Sequence, residues 1–157
     1  MRGARGRLFV GTRWLRCSPA LFLLALSSCG RLQSSVPEMP VSLERNAVTI
    51  NCLYPGSSWR IESAQYTTDR IGYAGVQLVM AFDSQYYAFD LCCPNELSPT
   101  VRVGKPSDVL CCECPVCGEV YDLGYGQGSP TKGICDESLR RYSVSYAPLS
   151  QTIYIQN

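Results

Sequence analysis

Two short cysteine motifs hold the reactive chemistry of this sequence. Cys92-Cys93-Pro94-Asn95-Glu96 and Cys114-Pro115-Val116-Cys117-Gly118 are separated by the 18 residues between Asn95 and Cys114. Each stands where a strand pattern runs into a tight loop. Two such loops facing one another bring several thiolates to one point, and thiolates ligate zinc and iron–sulfur centres. The chain has 10 cysteines and no histidine. The lack of histidine excludes His-based triads, His general acid–base catalysis and His-ligated zinc. In an oxidising compartment the same thiols pair as disulfides instead, with a connectivity that spacing does not reveal. Metal and disulfide both stand open at this level.

The elements that must position these loops read as β-structure. Residues 47–53 alternate Val48, Ile50 and Cys52 with Thr49 and Asn51, as a half-buried strand does. Residues 76–82 are apolar enough for a central strand, and Asp83-Ser84 turns the chain into an aromatic strand over 85–91 that ends at Cys92 and Cys93. Short strands are expected at 101–103, at 109–112 leading into the second thiol loop, and at 119–123 leaving it. Residues 124–133 hold four glycines and a proline and read as an irregular loop. Residues 139–146 and 152–155 alternate as two closing strands. No segment carries a long helical apolar stripe. The expected fold is all-β: a small antiparallel barrel or sandwich with both thiol loops at one tip.

With these residues in hand, the stretch 85–146 resembles a Rieske domain. That family's loops read C-P-H-x and C-P-x-H-G. An aromatic-Asp pair, a glycine-rich stretch, G-P-A and a strand with L-x-x-Y-x-V follow. Here the order is Cys93-Pro94-Asn95-Glu96, Cys114-Pro115-Val116-Cys117-Gly118, Tyr121-Asp122-Leu123, Gly133-Ile134-Cys135 and Leu139-Arg140-Arg141-Tyr142-Ser143-Val144. The resemblance implies a [2Fe–2S] centre with thiolates from Cys93 and Cys114. The two imidazole positions fall on Asn95, a poor iron ligand, and Cys117, a good one. The family's G-P-A segment packs over the cluster, which would bring Cys135 near and make it a fourth thiolate, with Cys92 as the second candidate. A site of Cys93, Cys114, Cys117 and Cys135 suits [2Fe–2S] or tetrahedral zinc. The resemblance also matches Tyr121 to a tyrosine whose hydroxyl lies near the cluster. It departs at Glu119, where a serine is usual, and at Ser98 and Val116, where some members carry a disulfide.

Other cysteines read differently. Cys111 and Cys112 are neighbours on a strand and point to opposite faces, so at most one faces the loops. Cys52 reads as a core thiol. The C-x-x-C motif is not set at a helix N-terminus, which is what lowers a thiol pKa for redox catalysis. The expectation is an electron-transfer or binding protein, not a catalyst.

The N-terminal region differs in kind. Arg2, Arg5, Arg7, Arg13 and Arg16 precede an apolar run at 20–26 that is too short to span a bilayer. This is the pattern of a secretory signal, and Leu26-Ser27-Ser28-Cys29 resembles a bacterial lipobox in which Cys29 bears the lipid. The expected organisation is a signal peptide at 1–28, a lipid-anchored tether at 29–40 and a Rieske-like domain at 41–157. The expected place is the bacterial cell envelope, on its periplasmic side, attached to the membrane through lipid. Without the five leading arginines, nine basic residues face 13 acidic ones, so the mature chain is near −4 and offers no footprint for nucleic acid. Two functions compete: a single-electron carrier with a redox protein partner, and a clusterless interaction module held by disulfides or structural zinc.

Overall fold

Alternation of inward and outward side chains builds the first strand of the computed structural model, which describes residues 34–157. The expected signal peptide and Cys29 lie outside the described residues. In β1 (Val41–Asn46), Val41, Leu43 and Arg45 are buried while Ser42 and Glu44 face solvent, the period-two pattern of a pleated strand. Asn46 ends the strand. Its Oδ1 accepts the amides of Val48 at 3.0 Å and Thr49 at 3.3 Å, and Cys52 N donates to Ala47 O at 2.9 Å. The residues expected as a strand, 47–53, therefore form a turn, and the strand precedes them.

Two short strands, β2 (Ser58–Ile61) and β3 (Arg70–Ile71), follow. β4 (Val76–Met80) and β5 (Tyr86–Asp90) are the expected hairpin. Ser84 takes φ +64° at its tip and Ala81 N donates to Gln85 O at 2.9 Å. The chain then makes a second, smaller sheet: β6 (Cys111–Glu113), β7 (Val120–Asp122) and β8 (Ser129–Lys132). β8 lies where an irregular loop was expected. It pairs with β7 across a register irregularity at Val120/Tyr121, and the glycines flanking it serve the turns on either side. Val101–Val103 is no strand, only a bridge between Cys92 and Arg102. β9 (Arg141–Ala147) and β10 (Thr152–Gln156) close the fold where expected.

The larger sheet is antiparallel throughout, in the order β2-β4-β5-β9-β10-β1-β3. Leu43, Ile61, Leu78, Ala88, Tyr142 and Ile155 come from six of its strands yet share one buried cluster. A sheet whose strands all face one core must curl on itself. A second cluster packs Val79 and Phe89 of the large sheet, with Leu91 just beyond β5, against Leu110, Tyr121 and Leu123 around the small one, and includes Cys92, Cys93, Cys112 and Cys114. The thiols are thus core residues where the two sheets meet.

Val36 belongs to this second cluster and is fully buried. Arg140 Nε donates to Val36 O at 2.9 Å and Ser35 Oγ donates to Glu137 Oε2 at 2.7 Å. Residues 34–40, the described part of the segment expected as a lipid-anchored tether, thus pack on the domain through Ser35 and Val36. Among the described residues no helix is long and apolar enough to cross a membrane.

Candidate metal centre

β5 delivers the first thiol loop, and a buried carboxylate fixes its exit. Asp90, fully buried, accepts the amides of Cys92 at 2.7 Å and Tyr73 at 2.8 Å, the amide of Ala74, and the Tyr142 hydroxyl at 2.5 Å. The backbone entering the loop is therefore tied to β9 and to the turn before β4. The loop closes on itself: Glu96 N and Leu97 N both donate to Cys93 O at 3.1 Å. The Asn95 amide then points at the Cys93 sulfur.

The second loop is a tight turn between β6 and β7. Cys114 N donates to Glu119 O at 2.8 Å and Gly118 N to Cys114 O at 2.9 Å. Gly118 takes φ +72°, a left-handed conformation that glycine adopts without steric cost. The Glu119 backbone amide faces the Cys117 sulfur. Cysteine sulfurs held by backbone amides are suited to bearing negative charge, since hydrogen bonds to the charged form favour it.

These two loops bring three sulfurs together. Those of Cys93, Cys114 and Cys117 all lie within 4.8 Å of one another. The Cys93 and Cys117 sulfurs are 3.6 Å apart. Cys93 and Cys114 are fully buried and Cys117 half-buried. The Tyr121 hydroxyl sits 3.3 Å from the Cys93 sulfur, as the resemblance implied. Burial pushes the Cys93 and Cys117 thiols up from the usual range, against amide and hydroxyl hydrogen bonds that pull the other way. Burial raises Tyr121 as well, with its contacts to Cys93 and Cys135 adding to the effect. Among the described residues no lysine or arginine is hydrogen-bonded to these sulfurs, so the thiolate form calls for a bound cation.

Cys135 comes close without joining the group. Its amide donates to Glu119 Oε2 at 2.8 Å and its sulfur is 3.5 Å from Glu137 O. Its thiol faces the same Tyr121 hydroxyl that touches Cys93. Cys92, the other candidate, turns toward the carbonyls of Cys93 at 3.4 Å and Ser98 at 3.6 Å, and burial pushes its thiol up to about 12. Asn95 is exposed, its side-chain amide 3.4 Å from Glu96 Oε1. Cys112 is buried in the core and Cys111 only partly so, the opposed pair expected of strand neighbours. Cys52 is a core thiol with the Ser57 hydroxyl at 3.5 Å.

Two residues of the site have roles that the sequence reading did not give them. Asp90 is one. Glu119 is the other: fully buried, with Oε1 unpartnered among the described residues and Oε2 holding the Cys135 loop. The period-two series Glu119, Tyr121, Leu123 was the available signal, because it puts the carboxylate on the inward face. Gly133 completes this contact. A Cβ there would lie 2.1 Å from Glu119 Oε2, and φ is +122°.

The donor set fits a thiolate-held metal. Three convergent sulfurs, two amides on sulfur and a buried setting are what such an ion requires. The residues that would hold it are Cys93, Cys114 and Cys117, with Cys135 the next thiol outward.

No family model matches the chain, and no curated protein matches it. Among solved structures it is similar to a chain of the complex of reduced oxygenase and oxidized ferredoxin in carbazole 1,9a-dioxygenase. The identity is 19% over 74% of this chain and 93% of that one, with a TM-score of 0.47. It is also similar to a chain described as the NADH-dependent nitrite reductase small subunit from Mycobacterium tuberculosis, 16% identical over 75% of this chain and 96% of that one, with a TM-score of 0.43.

Proposed function

We propose that this chain is a Rieske-like iron–sulfur protein that carries single electrons, anchored by lipid at Cys29 in the bacterial cell envelope. The observation that carries the reading is the convergence of the Cys93, Cys114 and Cys117 sulfurs from two loops at the junction of two β-sheets. Bound iron would supply the one-electron chemistry. Both a [2Fe–2S] cluster and a single iron change charge by one electron, so the reading does not turn on the number of irons. The chain itself supplies the thiolates, excludes water from Cys93 and Cys114, and places the Tyr121 hydroxyl and two backbone amides against sulfur, contacts that tune a reduction potential.

Electron transfer needs a partner to come close. Leu97, Val116 and Ile134 are 45%, 62% and 89% exposed and stand beside Cys93, Cys117 and Cys135 in sequence. An apolar rim around a partly open metal centre suits brief docking of a redox protein. The basic start, short apolar run and lipobox support the membrane anchor and the periplasmic place. Anaerobically purified protein should be coloured, contain iron, and bleach reversibly on reduction. A colourless protein free of iron overturns the carrier. Mass spectrometry of the mature N-terminus should find a lipidated Cys29, and an unmodified start elsewhere overturns the anchor.

One observation favours a second reading. At 3.6 Å, the Cys93 and Cys117 sulfurs need move little to bond directly. A disulfide there would staple the two loops and leave a clusterless interaction module. Thiol counting under denaturing conditions, on aerobically isolated protein, separates the two readings.

A further inference from the structure

We infer that the thiol site is built for one metal ion, not for a two-iron cluster. This rests on the reading of the site as a thiolate metal centre and goes on to its nuclearity. In the arrangement implied by the resemblance, Cys93 and Cys114 hold one iron and the positions of Asn95 and Cys117 hold the other. Cys93 and Cys117 would then belong to different irons, kept apart by the width of the cluster. The structure does the opposite, with their sulfurs 3.6 Å apart. Two thiolates on a single tetrahedral ion stand about 3.8 Å apart when the metal–sulfur bond is about 2.3 Å. All three sulfurs fall within 4.8 Å of one another, the compass of one coordination sphere.

The second iron also lacks ligands. Asn95 is exposed and its side-chain amide is directed at Glu96. At the four positions implied by the resemblance, that leaves Cys117 without a companion at the far iron, and Cys135 lies outside the group of three sulfurs. The second loop adds an independent argument. Its C-x-x-C spacing is the ligand spacing of single tetrahedral sites, in which both cysteines of one turn bind the same ion. The turn around Gly118 directs Cys114 and Cys117 into the same group of sulfurs. Cys135, its loop held by Glu119, is the next thiol outward from Tyr121 and the one nearest to filling the fourth position.

The test is metal stoichiometry on the full-length protein, purified anaerobically from cells supplied with both iron and zinc. Metal content, acid-labile sulfide and native mass are measured together, and the reduced metal-free protein is titrated with Co²⁺. The expected result is one metal ion per chain, no acid-labile sulfide, and Co²⁺ spectra of a tetrahedral thiolate site that saturate at one equivalent. Two irons with two sulfides per chain would overturn the single-ion site and leave the electron carrier standing. One zinc per chain would support the single-ion site and overturn the electron carrier. A reduced protein that binds neither iron, zinc nor Co²⁺ would overturn both.

Discussion

Each thiol at the tip has a neighbour that defines its role, and each role has its own test. Serine at Cys93, Cys114 or Cys117 removes one of the three converging sulfurs, and metal affinity, read by chelator competition, should fall by at least the roughly 10–100-fold that loss of an outer-shell partner costs. Serine at Cys52 or Cys111, which lie outside the group, should leave metal content unchanged. Cys135→Ser should weaken binding without abolishing it. Tyr121→Phe removes the hydroxyl 3.3 Å from the Cys93 sulfur. A hydrogen bond to a charged group contributes about 1.5–3 kcal/mol, and the reduced, more negative site gains more from it. The reduction potential measured by voltammetry should therefore drop by several tens of mV. The three convergent thiols were legible from two motifs. The carboxylates that support them were not, because the amides that explain their burial, Tyr73 for Asp90 and Cys135 for Glu119, lie in other loops and no local pattern announces them.

Among the elements, the legible ones were those whose pattern came from packing alone. β4, β5, β9 and β10 alternate or run apolar and lie where the sequence puts them. β1 was hidden by Glu44-Arg45, a charged pair in a strand interior. Arg45 is tolerated there because its guanidinium meets Asp69 at 2.6 Å and lies over the rings of Trp59 and Tyr66, 5.4 Å and 4.9 Å from their centroids. No local pattern announces a partner 24 residues away. Burial works to raise the Asp69 pKa, but Arg45 and the amides of Tyr66 and Gln65 outweigh it and hold it below the usual carboxylate range. A depressed folded pKa gives stability that is present above the unfolded value of about 3.9 and lost as pH falls through the folded one. Thermal denaturation should show the wild type losing stability below about pH 4. Asp69→Asn, which leaves Arg45 buried and unpaired, should cost about 3 kcal/mol at pH 7 and flatten that acid limb. β8 was hidden for the opposite reason: its turns use glycine so heavily that the strand between them reads as loop. Gly133→Ala sets a Cβ against Glu119 and forces φ +122° on an alanine. It should destabilise the domain by about 1–3 kcal/mol and release the Cys135 loop, read as faster alkylation of Cys135.

At the scale of the whole molecule, the barrel and the thiol tip depend on one another unequally. The large sheet has its own core. The small sheet has three short strands and packs through the thiols themselves, so an ion held there would be part of its structure. Chelation of the metal from reduced protein should lower the melting temperature and raise hydrogen exchange in residues 93–135 before residues 141–156, because binding energy is folding energy for the segments that supply ligands. The pairing of β1 with β10 has a consequence in time. Leu43 lies opposite Ile155 and Ser42 opposite Gln156, so the first and last strands of the sheet are neighbours. A chain growing from its N-terminus cannot complete this sheet until β10 has emerged, and the cysteine loops lie wholly inside the interval. Contacts of such long sequence separation make folding slow, on the order of milliseconds to seconds. The sheet therefore closes only once its last strand is made, and the two thiol loops spend their synthesis ahead of the closure that frames them.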